Sequence, residues 1–203
     1  LTRRIAELAG PGYERVCLAS GGSEAMELAL KFLRQYMVAK GQLKKQRIIT
    51  LAPSNHGGTI ATLAITGDDA LDPFIDGFAV KSERIPAPLQ YRVPDGHTQT
   101  SYRMECAEAL EAAILKLGAE NVLAFAVEPV GGLSTGAQML SEDYANRVRE
   151  ICTKHGVYLV YDEILCGTGR TGRFLASHAW PDAHAEIVVL AKGLGSGYAP
   201  LSA

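Results

Sequence analysis

Val157-Tyr158-Leu159-Val160-Tyr161 runs directly into Asp162, and Ile187-Val188-Val189-Leu190-Ala191 runs directly into Lys192. Short apolar runs rich in β-branched and aromatic residues, bounded by turn residues, read as strands covered on both faces, the habit of a parallel sheet. Gly156 precedes the first run, and Gly193-Leu194-Gly195-Ser196-Gly197 follows the second. Amphipathic segments separate these runs from others like them. That alternation predicts an α/β fold, a mostly parallel sheet flanked by helices.

Working outward, Arg15–Ala19 reads as a first strand. Glu24 to about Lys40 reads as a helix, with Ala25, Leu28, Ala29, Phe32, Leu33 and Tyr36 at helical spacing. Ser23, Glu24 and Glu27 suit its start, where acidic side chains favour the positive end of the dipole. Arg47–Ala52 reads as a strand, and His56-Gly57-Gly58-Thr59 opens a short helix to about Ile65. Residues 67–101 carry Pro73, Pro86, Pro88 and Pro94 with little periodicity, and read as an irregular excursion. Glu105–Leu117 reads as a helix and Asn121–Val127 as a strand ending at Glu128-Pro129. Ser141–His155 reads as a helix capped by Ser141 and closed by Gly156.

Ligands of such sheets collect outside the carboxyl ends of the strands. Five expected strand ends deliver Ser20-Gly21-Gly22-Ser23, Asn55-His56, Glu128, Asp162 and Lys192. A lysine and an aspartate at the ends of two apolar strands, beside glycine-rich turns, are what pyridoxal phosphate requires: an amine for its aldehyde and a carboxylate for its pyridine nitrogen. Gly21-Gly22-Ser23, at a strand-to-helix turn, offers backbone amides to a phosphate. Each feature also has a plainer reading. Glycine and serine serve such turns for geometry alone, Asp162 could cap, Glu163 could be a surface charge, and Glu128 could end a strand or orient a neighbour.

His56 is the histidine placed nearest these ends, while His97, His155, His178 and His184 read as solvated. Gly167-Thr168-Gly169-Arg170-Thr171-Gly172 matches a dinucleotide fingerprint in spelling only. Five residues, Asp162 to Cys166, separate it from the strand, and no helix opens on it. A structured loop is the better reading.

Composition narrows the partners. With 203 residues, 47% of them hydrophobic and 21% charged, the chain can fill the core of one globular domain. A net charge of -2 favours neither nucleic acid nor an anionic membrane surface. Lys44-Lys45-Gln46-Arg47, the densest basic patch, reads as solvated. The four cysteines fit no metal or disulfide spacing, which points to reduced thiols and a cytoplasmic setting.

Taken together, Ser20-Gly21-Gly22-Ser23-Glu24-Ala25, Asn55-His56-Gly57-Gly58-Thr59, Val127-Glu128-Pro129-Val130, Asp162-Glu163-Ile164, Gly167–Gly172 and Leu190-Ala191-Lys192-Gly193-Leu194-Gly195 resemble the class III, or omega, aminotransferases of fold type I. The resemblance implies the large domain of a pyridoxal-phosphate enzyme over residues 1–203. An N-terminal segment and a C-terminal small domain would lie outside them. Lys192 would carry the cofactor as a Schiff base and move the proton, and Asp162 would pair with the pyridinium nitrogen. Gly22 and Ser23 would bind the phosphate, Ile164 would pack on the ring, and Glu128 would stand on the substrate side. Asn55, His56 and Leu165 complete the expected cofactor shell.

Several positions depart from the family pattern. Asn55 stands where an aromatic residue usually stacks, Leu165 and Gly131 stand where glutamine is usual, and Leu133 replaces a glutamate. The implied reaction is transfer of an amino group from an amine or omega-amino acid to a keto acid, in a homodimer. A related reaction on the same cofactor (racemisation, mutase transfer, decarboxylation or phospho-lyase elimination) or a non-catalytic fragment of the same fold is the alternative.

Overall fold

A computed structural model describes residues 1–203. Helices α1 (Thr2–Ala9) and α2 (Gly22–Ala39) precede strand β1 (Arg47–Ala52), and α3 (Ile60–Ala64) and β2 (Glu83–Pro86) follow it. Then come α4 (Gln99–Leu117), β3 (Val122–Val127), α5 (Glu142–His155), β4 (Tyr158–Asp162) and β5 (Ile187–Val189). The sheet order is β2-β1-β3-β4-β5, and every pairing is parallel.

β3 sits at the centre, and all six of its residues are buried. Its side chains alternate between two packed layers. Phe125 and Val127 face Leu110, Ile114, Tyr144 and Ile151 of α4 and α5, while Ala124 and Ala126 join Ala25, Met26 and Ala29 of α2. The small side chains on that second face let α2 lie close to the sheet. Chain order reverses between β1 and β3, because β1 leads outward to β2 and the chain then returns to the other side. The crevice of such a sheet opens at that reversal, at the carboxyl ends of the strands.

Some expectations need correction. Arg15–Ala19 is not a strand. Ala19 makes an isolated antiparallel bridge with Ser202 (N···O 2.9 and 2.8 Å), and Leu18 is exposed. The excursion over 67–101 contains β2, whose register is set by β1. α1 had no counterpart in the sequence reading. α4 starts at Gln99 because Thr98 and Ser101 form a reciprocal cap, and α3 starts at Ile60 behind the cap residue Thr59. Lys45 is not solvated: its ammonium donates to the carbonyls of Gly156 (2.8 Å), Val122 (3.0 Å) and Ala119 (3.1 Å) at the amino edge of the sheet. Glu163 is no surface charge, being 1% exposed and holding Ser177 (N–H 2.9 Å, Oγ–H 2.6 Å) and the Ala176 N–H. Nor is His155 solvated. It meets Glu111 at 2.7 Å, and His178 reaches the Ala9 carbonyl at 3.0 Å. No helix is long and apolar enough to cross a membrane.

Candidate active site

A cleft of about 1310 Å³ opens at the carboxyl edge of the sheet. The segments after β1, β3, β4 and β5, together with the start of α2, form its walls. All nine residues singled out as cofactor-binding line it: Gly22, Ser23, Asn55, His56, Glu128, Asp162, Ile164, Leu165 and Lys192.

The floor is built from buried, fully engaged carboxylates. Asp162, the last residue of β4, is 3% exposed; its Oδ2 lies 2.9 Å from His56 Nδ1, and its Oδ1 accepts the Ile164 N–H at 3.1 Å. His56 is held in turn by its backbone N–H, which donates to Thr66 Oγ1 at 3.0 Å. Burial works to lower the His56 pKa. The hydrogen bond and charge of Asp162, helped by Glu128, outweigh it and hold the imidazole above its ordinary value. The floor therefore favours an imidazolium–carboxylate pair.

Glu128 closes the switch point between β1 and β3. Its Oε2 accepts the Asn55 N–H at 2.9 Å and its Oε1 the Gly132 N–H at 3.2 Å. Burial raises its pKa, while His56 and the two amides pull the other way. The result is a brace between the loop after β1 and the loop after β3.

At the start of α2, Gly22 and Ser23 line the cleft at the positive end of an 18-residue helix. Ser23 Oγ accepts the Gly58 N–H at 3.0 Å, and Ser202 Oγ–H donates to the Gly21 carbonyl at 2.8 Å. The packing here admits no larger residue at two glycines. A Cβ on Gly22 would lie 2.9 Å from Ile164 Cδ1, and one on Gly57, at φ 138°, would lie 2.6 Å from Ser23 Oγ.

Lys192 follows β5 at the head of a single helical turn, Lys192–Leu194, with φ at 42°. Left-handed backbone at a non-glycine residue is strained, and here it is held by Gly195 and Ser196, whose N–H groups donate to the Lys192 carbonyl at 3.2 and 3.0 Å. Its side chain is exposed to the cleft. Leu133 and Leu165 give the remaining wall an apolar, open surface. Thr66 and Ser202 were missed in the sequence, where nothing marks a hydroxyl that acts over long range.

These residues fit pyridoxal phosphate. A helix start suits a phosphate, a carboxylate backed by imidazolium suits a protonated ring nitrogen, Ile164 offers an apolar face, and a free amine stands opposite.

The comparisons agree with the geometry. The family model for aminotransferase class-III matches residues 1–203. The chain belongs to the class III aminotransferases. It is 37% identical to the diaminobutyrate–2-oxoglutarate transaminase of Halomonas elongata, over 100% of this chain and 43% of that protein. It is 34% identical to the putrescine–pyruvate aminotransferase of Pseudomonas aeruginosa, over 99% and 44%. The solved structure of an amine transaminase from an uncultivated Pseudomonas species, in its PLP-bound form, superposes with a TM-score of 0.89. Its identity is 33%, over 99% of this chain and 46% of that one. The chain thus spans less than half the length of the relatives it matches. Enzymes of class III use pyridoxal phosphate.

Proposed function

We propose that the protein is a pyridoxal-phosphate-dependent aminotransferase that moves an amino group from an amine or omega-amino acid to a keto acid. Residues 1–203 supply its cofactor-binding large domain. The observation that carries this reading is the convergence of Lys192, the His56–Asp162 pair and the α2 start on one cleft. When bound, pyridoxal phosphate supplies an electron-accepting ring that stabilises negative charge at the substrate carbon.

The chain's residues take the following roles. The amides of Gly22 and Ser23 would hold the phosphate. Asp162 would answer a protonated ring nitrogen, and His56, 2.9 Å from its Oδ2, helps keep that carboxylate ionised and aimed. Ile164 would support the ring with an apolar face, and Asn55, fixed through its backbone by Glu128, would approach from the loop after β1. Leu165 would offer the cofactor an apolar neighbour from the cleft wall. Lys192 Nζ is the amine that would hold the cofactor, and as a general base it would move the proton at the substrate carbon.

The working unit is a homodimer acting on small-molecule amine, amino acid and keto acid substrates. Four free cysteines support a cytoplasmic setting.

Borohydride reduction of the full-length protein with added pyridoxal phosphate, followed by peptide mapping, tests this reading. A yellow chromophore reduced onto Lys192 is expected. Attachment elsewhere, or none, would sink it.

A further inference from the structure

The loop after β3, residues 131–138, forms one wall of the cleft, which Gly132, Leu133, Gly136 and Ala137 line. Leu133 is fully exposed there. The backbone of this loop is strained. Gly136 and Ala137 are left-handed in succession, at φ 67° and 60°, and the Cβ of Ala137 disfavours that region. Such backbone persists only where its surroundings over-determine it. The local closures are Gly131 N–H to the Gln138 carbonyl at 3.0 Å, and the N–H groups of Thr135 and Ala137 to the Gly132 carbonyl at 3.3 and 3.2 Å. Glu128 holds the near limb through the Gly132 N–H.

The far limb has a different tether. Tyr91 Oη–H donates to the Thr135 carbonyl at 3.0 Å, across 44 positions, and no other hydrogen bond reaches residues 133–137 from outside the loop. Thr135 is 6% exposed and its own hydroxyl has no partner, so Tyr91 supplies its one long-range bond. The tyrosine stands on a firm base. Arg92 N–H donates to the Leu89 carbonyl at 3.0 Å, closing a tight turn around Tyr91. Leu89 packs against the α4–α5 side of the core, and Gln99 Nε2 at the start of α4 donates to the Gln90 carbonyl at 3.2 Å. Tyr91 itself does not line the cleft.

We propose that Tyr91 is a positioning residue, whose hydroxyl holds the strained loop after β3 in place and so keeps Leu133 on the substrate wall. The excursion over 67–101 thereby acts on the site from behind, through one hydrogen bond to a backbone carbonyl. Without that bond the left-handed pair at 136 and 137 loses its outside support, and the loop opens more often than the sheet beneath it. This inference rests on the proposed function, which makes the cleft the substrate site.

The test is backbone hydrogen exchange in the full-length protein loaded with pyridoxal phosphate, read peptide by peptide by mass spectrometry. Tyr91→Phe removes only the hydroxyl. It is expected to speed exchange across 131–138 about tenfold, with the peptides of β3 and β4 and the urea midpoint at parent values. Arg92→Gln keeps the hydroxyl and removes the cation that lies 5.6 Å from the ring centre, and should leave the loop at the parent rate. Placement is read by energy transfer to the bound cofactor from Leu133→Trp, after subtraction of the emission the parent protein already gives. Adding Tyr91→Phe should reduce that transfer. Unchanged exchange in Tyr91→Phe overturns the proposal, as does faster exchange across the whole sheet, equal acceleration by Arg92→Gln, or unchanged transfer. A protein that binds no pyridoxal phosphate defeats the proposed function, whereas the response of the loop to Tyr91→Phe is read on the unloaded protein as well.

Discussion

Lys45 and Lys192 stand at opposite edges of the same sheet and have opposite environments. Lys45, at the amino edge, is buried, and its three N–H donors meet three backbone carbonyls. Burial lowers its pKa, yet the carbonyls keep the ammonium satisfied. Lys192, at the carboxyl edge, sits on strained backbone with its amine exposed to the cleft. Placement, more than residue type, separates a structural amine from the one proposed to react. The amino edge carries the turns into β3 and β4 and needs its carbonyls covered. The carboxyl edge keeps its donors and its amine open for a ligand.

The sharpest way to break this contrast is to remove each amine in turn. Lys192→Ala should lower kcat in full-length protein by about 10⁴-fold or more, with the urea midpoint little changed. Transamination at the parent rate would end the assignment. Next in size is Asp162→Asn, which keeps a hydrogen-bonding group beside His56 but removes the charge that answers a ring N–H. A fall of about 100-fold in kcat is expected, with pyridoxal phosphate still bound by absorbance. Lys45→Ala should do the reverse of Lys192→Ala. Three buried carbonyls lose their donor, at a cost of about 2 kcal/mol in urea unfolding, while kcat of the folded fraction stays within about twofold of the parent.

The smallest effect concerns pH. The folded His56 pKa lies above the ordinary value of 6.5, so the folded state binds the proton more tightly than the unfolded chain. Its contribution is complete below pH 6.5 and disappears as pH rises through the higher folded value. Urea midpoints of the parent protein should therefore carry a descending limb in that window. His56→Gln should flatten it. Equal slopes in the two proteins would remove the imidazolium from the floor.

The legible part of the fold is the part with redundant local signals. β3 and β4 are continuous apolar runs closed by turn residues, and α5 has acidic residues in its first turn and a left-handed Gly156 at its end. Glu83-Arg84-Ile85-Pro86 escaped notice because an edge strand with one buried residue leaves almost no pattern. Arg15–Ala19 misled for the opposite reason, being an apolar run that makes only one bridge, Ala19 to Ser202.

The sequence by itself determined the residue types at the strand ends, and with them the family, the cofactor class and the candidates Lys192 and Asp162. Local spacing encodes strands, turns and caps, because those depend on residues a few positions apart. Only the tertiary structure decided the pairing of His56 with Asp162 across 106 positions, the brace that Glu128 makes between two loops, and the burial of Lys45. Those outcomes depend on strand order and on which polar groups lose water together, and neither is written in any short stretch of chain.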